Sequence, residues 1–461
     1  MKDNGLSSCG RYRSYVWNED LLASVSWSVP SLTSPLFFLL QDEHSRDIML
    51  NCLVTDPYDE YKGTHPTSHK LGGFRWKSPE QVKETKKRRS VVWKFIRSAG
   101  LGLFRDGVNM TKISLPVQLF EGKSFLERLS DSWVYRDLLK RAAACNSDPV
   151  ERMRCIVAFA MGGLRHQVSA YKPFNPILGE TRQGIYRDGT EVYFEQISHH
   201  PPISAWQMFD AQSRFVFEGC ANYEASTRAN SIVARQLGVN RITFADTSDI
   251  TWELPELHVL NIMFGQMYLR YRGVVVFEDV KHSIVCRVEV DPPKPKGWKA
   301  LSPEDRQQWH TDMVVGSLEV KGKVIDRLTG SWLSHLTWLE AGVRADGSRG
   351  PVRYHTTEDR VERPVPFDVA VREGKVKGPR LAMLPSDSRE RADLQSFLRD
   401  EMETAHTNKV ALEELQRADA KCRAMGKKLL RKESRQREKA ASRTSKRESR
   451  KGESNPPSPD R

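Results

Sequence analysis

The stretch "YFEQISHHPPISAW", Tyr193–Trp206, joins an alternating strand pattern to two adjacent histidines and two adjacent prolines. Successive side chains on a strand point to opposite faces of the sheet. The two prolines remove two backbone donors and hold the chain extended. The pattern therefore predicts a strand that ends at Ser198, followed by a break, with the imidazoles of His199 and His200 at the strand end.

The chain beyond Gly179 is rich in short runs of β-branched and aromatic residues that alternate with polar ones. These runs are "EVYFEQIS", "RFVFEGC", "GVVVFEDV", "SIVCRVEV" and "SLEVKGKVID". Consecutive short strands without intervening helices favour an antiparallel meander. So many strands either stack as sheets or close as a barrel, and a barrel of many strands leaves an interior cavity.

Helical patterns precede and follow the strand region along the sequence. "SFLERLSDSWVYRDLLKRAAA" and "DPVERMRCIVAFAMGGLRH" begin with the N-cap residues Ser124 and Asp148. A third helical region begins at "DLQSFLRDEMETAHTNKVALEELQ" and runs on without a proline. Residues 426–461 are basic and end in "SNPPSPD", which predicts a disordered tail.

Residues 1–90 form an extension whose fold the sequence does not assign, and its basic run "KKRR", Lys86–Arg89, has the composition of a linker. From residue 91 the pattern "VVWKFIRSAGLGLF" is amphipathic. Gly100 and Gly102 weaken a helix here. The segment is either a surface helix packed on the core or a movable flap hinged at the glycines.

Net charge is +13, but the final residues from Lys427 hold thirteen Lys+Arg against five Asp+Glu, so the rest of the chain carries only +5. No apolar run is long enough to span a membrane, and the first residues lack the apolar core of a signal peptide. The seven cysteines are scattered and never spaced as CxxC. This usage is typical of a cytoplasmic protein with reduced thiols.

Catalytic and metal-binding motifs are missing from the sequence. There is no G-x-S-x-G elbow and no H-E-x-x-H pair, and a serine directly before a histidine, as at Ser198, suits a nucleophile and its base poorly. No cysteine or carboxylate stands at ligand spacing near the histidines. We therefore expect neither an enzyme, a metal site nor a cofactor. The basic tail alone, without a zinc finger or an RNP motif, does not predict a specific nucleic-acid partner.

The motif "EQISHHPPISA" is similar to the signature E-Q-x-S-H-H-P-P of the oxysterol-binding protein family. Three other blocks resemble that family in the expected order: "NMTKISLPVQLFEGKSFLERL", "YKPFNPILGET" and "LPSDSRERAD", with Ser386 and Ala392 departing from the pattern of the last. The resemblance runs from about Trp93 to Arg417. It implies a β-rich α+β fold, a large incomplete antiparallel β-barrel around an apolar tunnel, closed by an N-terminal lid.

The resemblance also implies domain limits and a lid. The lipid-binding domain is expected at residues 91–425, with the lid at 91–112, the barrel at 170–380 and C-terminal helices at 390–425. The apolar residues of the lid would then be Trp93, Phe95, Leu101, Leu103 and Phe104.

The headgroup site implied by the resemblance draws on three parts of the chain. The "KPFNP" block supplies Lys172 and Asn175, and the histidine motif supplies His199 and His200. A late helix supplies a Lys, a Glu and an Arg at four-residue intervals, a spacing met here by Lys409, Glu413 and Arg417. Four-residue steps keep all three on one helix face. An exposed helix often carries such i,i+4 charge pairs for solubility alone, which is the competing interpretation.

The function implied is the transfer of lipid between membranes. Members of the family commonly carry phosphatidylinositol 4-phosphate and exchange it for a sterol or another lipid. The protein is expected in the cytoplasm, in peripheral and transient contact with anionic membrane surfaces. The alternative is a lipid sensor or scaffold of the same fold without net transport. The sequence does not identify the second lipid.

Overall fold

The structure of the protein is a computed structural model, which describes residues 67–69, 73–100, 107–109, 113–294, 302, 312–343, 349–355, 362–373 and 383–452. Most of the N-terminal extension and the expected lid residues Leu101, Leu103 and Phe104 lie outside these described residues.

The described residues form seventeen strands. Their bounds are β1 Phe74–Arg75, β2 Phe120–Ser124, β3 Lys172–Phe174, β4 Thr181–Ile185, β5 Glu191–Ser198, β6 Ile203–Phe209, β7 Phe215–Arg228, β8 Ser231–Leu237, β9 Asn240–Phe244, β10 Asp249–Trp252, β11 Glu256–Leu260, β12 Tyr268–Asp279, β13 Ile284–Val290, β14 Met313–Val320, β15 Lys323–Ser331, β16 His335–Val343 and β17 Arg349–His355.

Fifteen of these strands form one antiparallel sheet, and β2 and β3 pair in parallel as a separate ribbon. The main order is β17-β16-β15-β14-β13-β12-β10-β9-β7-β6-β5-β4, so most neighbours in sequence are neighbours in the sheet. The long strand β7 pairs with β9 over its first half and with β8 over its second. The long strand β12 likewise pairs first with β11, from Tyr268 to Arg272, and then with β10 at Glu278. This is the predicted large antiparallel barrel, left open between β4 and β17.

Seven α-helices and four 3-10 helices accompany the strands in the described part of the chain. The α-helices are α1 Pro79–Ala99, α2 Phe125–Leu129, α3 Asp137–Ala144, α4 Pro149–Gly163, α5 Phe367–Arg372, α6 Ala392–Leu398 and α7 Met402–Gly452; the 3-10 helices are Val117–Leu119, Ser130–Trp133, Leu164–Gln167 and Ser388–Glu390. Every described helix is too short or too polar to serve as a bilayer-spanning segment.

Both predicted N-caps are confirmed. The Ser124 side chain accepts a hydrogen bond from the backbone of Leu126 at the start of α2. The Asp148 carboxylate accepts from Val150 and Glu151 at 3.1 and 2.9 Å at the start of α4. These local contacts satisfy amide groups that a helix leaves unpaired at its first turn.

The linker predicted at Lys86–Arg89 is wrong, because these residues lie inside α1. Ser78 accepts from the Gln81 amide, the Gln81 side chain reaches back to the Ser78 amide, and Pro79 opens the helix. This capping box and the helix propensity of Lys, Arg, Glu and Gln outweigh the charge repulsion that made the run resemble a linker.

The disorder predicted from residue 426 is also wrong over most of its length, since α7 continues to Gly452. Ala, Lys, Arg, Gln and Glu dominate this stretch, and the next proline is Pro456. These residues form helices readily even without a packed partner face. The run "SLEVKGKVID" is likewise two strands rather than one, since β14 and β15 turn at Lys321 and Gly322, which have φ of 51° and 77°.

Helix α4 is enclosed on all sides, because every residue from Arg152 to Gly163 is buried. Helices that are apolar around their whole circumference occupy protein interiors. Phe159 packs on Phe217 and Trp252 of the sheet, with ring centroids 5.8 and 6.5 Å away. The helix therefore fills one part of the space that the sheet surrounds.

Candidate functional site

An apolar cavity of about 380 Å³ lies between α1, the segment around β3, the end of β5 and the inner faces of β7, β8, β11 and β12. This volume is within the range of sites that hold small molecules and lipids. The aliphatic and aromatic part of its wall consists of Val92, Phe95, Leu115, Leu119, Phe125, Leu129, Tyr171, Ile232, Leu254, Leu257, Val259, Ile262, Met267, Leu269 and Tyr271.

Polar side chains also line the cavity, and Gln196 and Tyr223 are two of them. Gln196 is buried; its amide donates to the Ser198 carbonyl at 2.6 Å, and its carbonyl oxygen accepts from Ser204 at 2.6 Å. The buried Tyr223 hydroxyl has no hydrogen-bond partner among the described residues. Burial raises the pKa of Tyr223, so it remains a neutral donor. A ligand oxygen at this point would satisfy it.

The histidine pair lies where the sequence predicts, directly after β5 ends at Ser198. The rings of His199 and His200 are 4.5 Å apart between centroids, and both residues line the cavity. Burial lowers the pKa of His199 to about 4, helped by the charges of His200 and Arg423 and opposed by Glu413 and by a hydrogen bond to the Pro176 carbonyl. His199 is therefore neutral near pH 7 until an anion approaches.

Lys172 begins β3 and lies opposite Phe120 of β2. Its Nζ is 5.4 Å from the centroid of the Phe120 ring. Burial, together with the nearby charge of Lys409, lowers the pKa of Lys172 to about 8, although Glu413 acts in the opposite direction. The surroundings thus disfavour the protonated form of Lys172, and a bound anion would stabilise that form.

Lys409 and Glu413 bring α7 to the same place. The buried Lys409 donates to the Glu413 carboxylate at 2.6 Å and to the Ser114 hydroxyl at 3.1 Å, and its Nζ is 5.3 Å from the Phe120 ring centroid. Burial raises the pKa of Glu413, but the hydrogen bonds from Lys409 and Ser114 and nearby positive charges outweigh it, so the net pKa is lowered. Glu413 is therefore an anion that holds Lys409 and stabilises the charge of Lys172.

The predicted headgroup residues are thus largely brought together. Lys172, Asn175, His199 and His200 line one cavity, with Lys409 and Glu413 beside Lys172. Arg417 is outside the cavity wall: its side chain is 55% exposed and meets the Glu413 carboxylate at 3.4 Å. Their roles toward a ligand stay predictions.

The described part of the expected lid is the second half of α1 together with residues 107–109, where Asn109 pairs with Ser226 of β7. Phe95 faces the cavity, and the indole of Trp93 donates to the Met263 carbonyl at 3.2 Å while 38% of the residue stays exposed. Arg89 donates to the Asn261 carbonyl at 3.3 Å and to that of Gly265. These contacts hold α1 against the loop between β11 and β12.

Arg391 is a positioning residue to which the sequence alone assigns no role, although it lies in the quoted block "LPSDSRERAD". Its guanidinium donates to the Asn175 carbonyl at 2.5 Å and to the Glu180 carboxylate at 2.9 Å. Glu180 in turn accepts from the Ile177 amide at 2.9 Å. This buried network sets the shape of the loop that carries Asn175. The available sequence signal was the presence of charged residues in the quoted blocks "YKPFNPILGET" and "LPSDSRERAD".

Arg88 and Arg128 also line the cavity, and no sequence signal singled them out. Arg88 lies in α1 with its guanidinium carbon 5.5 Å from the Tyr171 ring centroid. Burial lowers the pKa of Arg88 to about 10, and Glu121 opposes the shift. Arg128 donates to Asp131 at 2.8 Å. The cavity therefore has a more cationic wall than the motifs alone predict.

Comparison with known proteins identifies the chain's relatives. The sequence model of the oxysterol-binding protein family matches residues 101–452. Oxysterol-binding protein 9 of Dictyostelium discoideum is 35% identical over 224 residues, 49% of this chain and 51% of that protein. Human oxysterol-binding protein-related protein 5 is 27% identical over 349 residues, 74% of this chain and 37% of that protein. The matches thus span from about a third to half of the length of these curated relatives.

Two solved structures share the fold. The Osh1 ORD domain, crystallised with ergosterol, superposes with a TM-score of 0.56 at 23% identity, over 82% of this chain and 88% of that one. The Osh3 ORD of Saccharomyces cerevisiae, crystallised with PI(4)P, gives 0.52 at 19% identity, over 78% and 88%. At these identities the likeness concerns the fold.

Proposed function

This chain belongs to the oxysterol-binding protein family, and from this premise we propose that it carries phosphatidylinositol 4-phosphate and exchanges it for a sterol or another lipid between membranes. One observation carries the proposal: cationic and imidazole groups from three distant parts of the chain converge at one apolar cavity.

The chemistry of the cavity mouth suits a phosphorylated headgroup. Lys172 and Lys409 lie on the same aromatic ring, so an anion between them would relieve their mutual repulsion. A phosphate would also raise the pKa of His199 and turn its ring into a double donor. The Asn175 amide and the Glu413 carboxylate can form hydrogen bonds with inositol hydroxyls. Arg417, on the solvent side, would help to keep the Glu413 carboxylate ionised.

The apolar wall suits the lipid chains. Exposing a chain of about fifteen methylenes to water costs roughly 12 kcal/mol at about 0.8 kcal/mol per CH₂. A carrier therefore needs a cover, and α1 with Trp93 and Phe95 is the proposed one. The expected continuation with Leu101, Leu103 and Phe104 belongs to the same proposal.

The second lipid is proposed by analogy with the solved structures that share the fold. Osh1 ORD has been crystallised with ergosterol and with cholesterol, and Osh3 ORD with PI(4)P. The same two ligand classes are proposed here, with the protein acting in the cytoplasm and touching anionic membrane surfaces transiently.

Exchange between two vesicle populations tests the proposal. We expect the double variant His199→Ala/His200→Ala to transfer phosphatidylinositol 4-phosphate at least about tenfold more slowly, because each lost charged hydrogen bond costs about 1.5–3 kcal/mol. His406→Ala, an exposed histidine of α7 away from the cavity, is the control and should keep the parent rate. Transfer by the double variant at the parent rate would contradict the headgroup assignment.

A further inference from the structure

Helix α7 continues beyond the headgroup residues as an exposed rod. We define its amphipathic segment as residues Leu415–Lys432. Its large apolar side chains are left open to solvent: Leu415 is 59%, Met425 63%, Leu429 61% and Leu430 66% exposed. Single exposed apolar side chains are ordinary, but four large ones on one helix form a patch that needs an explanation.

The apolar side chains share one side of the helix. Leu415, Cys422, Met425 and Leu429 follow one another at spacings of seven, three and four residues. At about 100° per residue they, together with Leu430, cover an arc of about 140°. The buried Ala405, Lys409 and Gln416, which pack α7 on the domain, lie about 110° away from the centre of that arc. The apolar arc therefore lies to one side of the packed face and is open to solvent.

The rest of the circumference is cationic, and Asp419, which falls within the apolar arc, is the one acidic residue between Leu415 and Lys432. Lys421–Arg443 contains ten Lys+Arg and two Glu, a net charge of +8. Within the amphipathic segment, all the basic residues after Arg417 are exposed and occupy the remaining half of the helix: Lys421, Arg423, Lys427, Lys428, Arg431 and Lys432. A helix with an apolar strip between Lys and Arg flanks has the properties of a helix that lies in a membrane interface.

We propose that the amphipathic segment Leu415–Lys432 is a docking helix that lies in the surface of an anionic phospholipid membrane, with its apolar arc among the acyl chains and its lysines and arginines at the headgroups. The occupant is identified by charge complementarity, since each Lys or Arg near an anionic surface adds to the attraction. The inference rests on the proposed function, because it gives the carrier its membrane contact.

Two other occupants fit the segment less well. A coiled coil with a second copy needs apolar a and d positions over three to four heptads. Here Lys432 and Gln436 take the next two such positions after Leu429, so the seam ends after about two heptads. A nucleic acid would use the cations but gives no reason for exposed leucines.

The segment is continuous with the headgroup site. Leu415 follows Glu413 by two residues on the same helix, and Glu413 holds Lys409 at 2.6 Å. Leu429 lies about 24 Å along the helix axis from Glu413. The charge of Arg423 also reaches His199 and contributes to its lowered pKa. A docked segment would therefore keep the cavity mouth close to the membrane from which lipid is taken.

Vesicle flotation of the full chain tests the inference, with phosphatidylcholine vesicles that contain or lack phosphatidylserine. The parent should float with phosphatidylserine vesicles, less so at high salt. Leu429→Gln/Leu430→Gln keeps helix propensity and charge but removes two apolar anchors, so binding should fall at least about tenfold. Ala441→Gln/Ser442→Gln, on the exposed part of α7 beyond the segment, is the matched control and should bind like the parent.

Binding of a short-chain, water-soluble phosphatidylinositol 4-phosphate separates this inference from the proposed function. Leu429→Gln/Leu430→Gln should bind the soluble lipid as the parent does, whereas Lys172→Ala should lose it and still float. Flotation of the leucine variant at the parent level would overturn the docking role. So would a leucine-dependent dimer in sedimentation, or RNA retained in preference to vesicles. Failure of the parent to bind the soluble lipid would instead overturn the proposed function.

Discussion

Lys172 shows how a single side chain can be prepared for an anion by its neighbours. It is half-buried, it lies beside Lys409, and its pKa is lowered to about 8. A phosphate bound at the cavity mouth would raise that pKa again, so binding and protonation are linked. The same argument applies to His199 at lower pH, where the bound phosphate would favour the imidazolium that burial disfavours.

The affinity for soluble phosphatidylinositol 4-phosphate should therefore fall as the pH rises above about 8. Below that pKa the free protein already carries the proton on Lys172; above it, binding must take up a proton, which costs affinity. The ligand phosphate has its second pKa near 6 and does not change in this window. Titration calorimetry between about pH 7 and 10 measures the effect.

Lys172→Arg is the matched variant, because arginine keeps its charge throughout this window. Its affinity should vary less with pH than that of the parent, even if its geometry lowers the affinity overall. A decline of equal steepness in both proteins would show that Lys172 is not the titrating group.

Helix α1 lines one side of the cavity, and its proposed role is to cover it. Arg89 and Trp93 donate to backbone carbonyls of the loop between β11 and β12, while Phe95 faces the interior. Backbone acceptors on a loop can be released without disturbing the sheet. This arrangement suits a cover that opens to load lipid and closes for transport.

Arg89→Gln should release bound lipid about tenfold faster, because a charged hydrogen bond contributes about 1.5–3 kcal/mol. The measurement is the dissociation rate of a fluorescent lipid from the loaded protein in the presence of acceptor vesicles. Lys87→Gln, which changes an exposed residue two positions away on the same helix, should leave the rate unchanged. Equal rates for parent and Arg89→Gln would indicate that α1 is not the barrier to release.

At the scale of the whole molecule, the space that the main sheet of the described residues surrounds has a filled part and an empty part. Helix α4 and the aromatic cluster around Phe159 fill the first, and the cavity beside β7, β8, β11 and β12 occupies the second. We therefore assign stability to the filled part of the interior and the proposed lipid binding to the cavity. A cavity can persist in a protein only if the remaining core supplies the burial that it lacks.

Phe159→Ala should lower the free energy of unfolding by about 3–5 kcal/mol, since it deletes a buried ring that packs on Phe217 and Trp252. Phe209→Ala, at a residue of β6 that is 38% exposed, should cost less than about 1–2 kcal/mol. Urea denaturation followed by tryptophan fluorescence measures both. A similar loss for the two variants would contradict the division between a filled core and a separate binding region.

The sequence by itself determined the local features of this protein. It predicted the end of β5 at Ser198, the caps at Ser124 and Asp148 and the series of antiparallel strands, because each depends on residues within a few positions of one another. Its motifs also indicated the family that the comparisons establish. It erred at Lys86–Arg89, where charged composition was taken as a linker, and after residue 426, where it was taken as a disordered tail, although the same residues favour a helix.

Only the tertiary structure decided which side chains meet. It brings Lys172 and Lys409 to the ring of Phe120, joins Arg391 to Glu180, places Arg88 in the cavity wall, and leaves Arg417 at its margin. It also decided that α4 fills one part of the barrel and leaves a cavity in another. These contacts join residues far apart in the chain, and their geometry depends on how the whole sheet curves and packs, which no local pattern encodes.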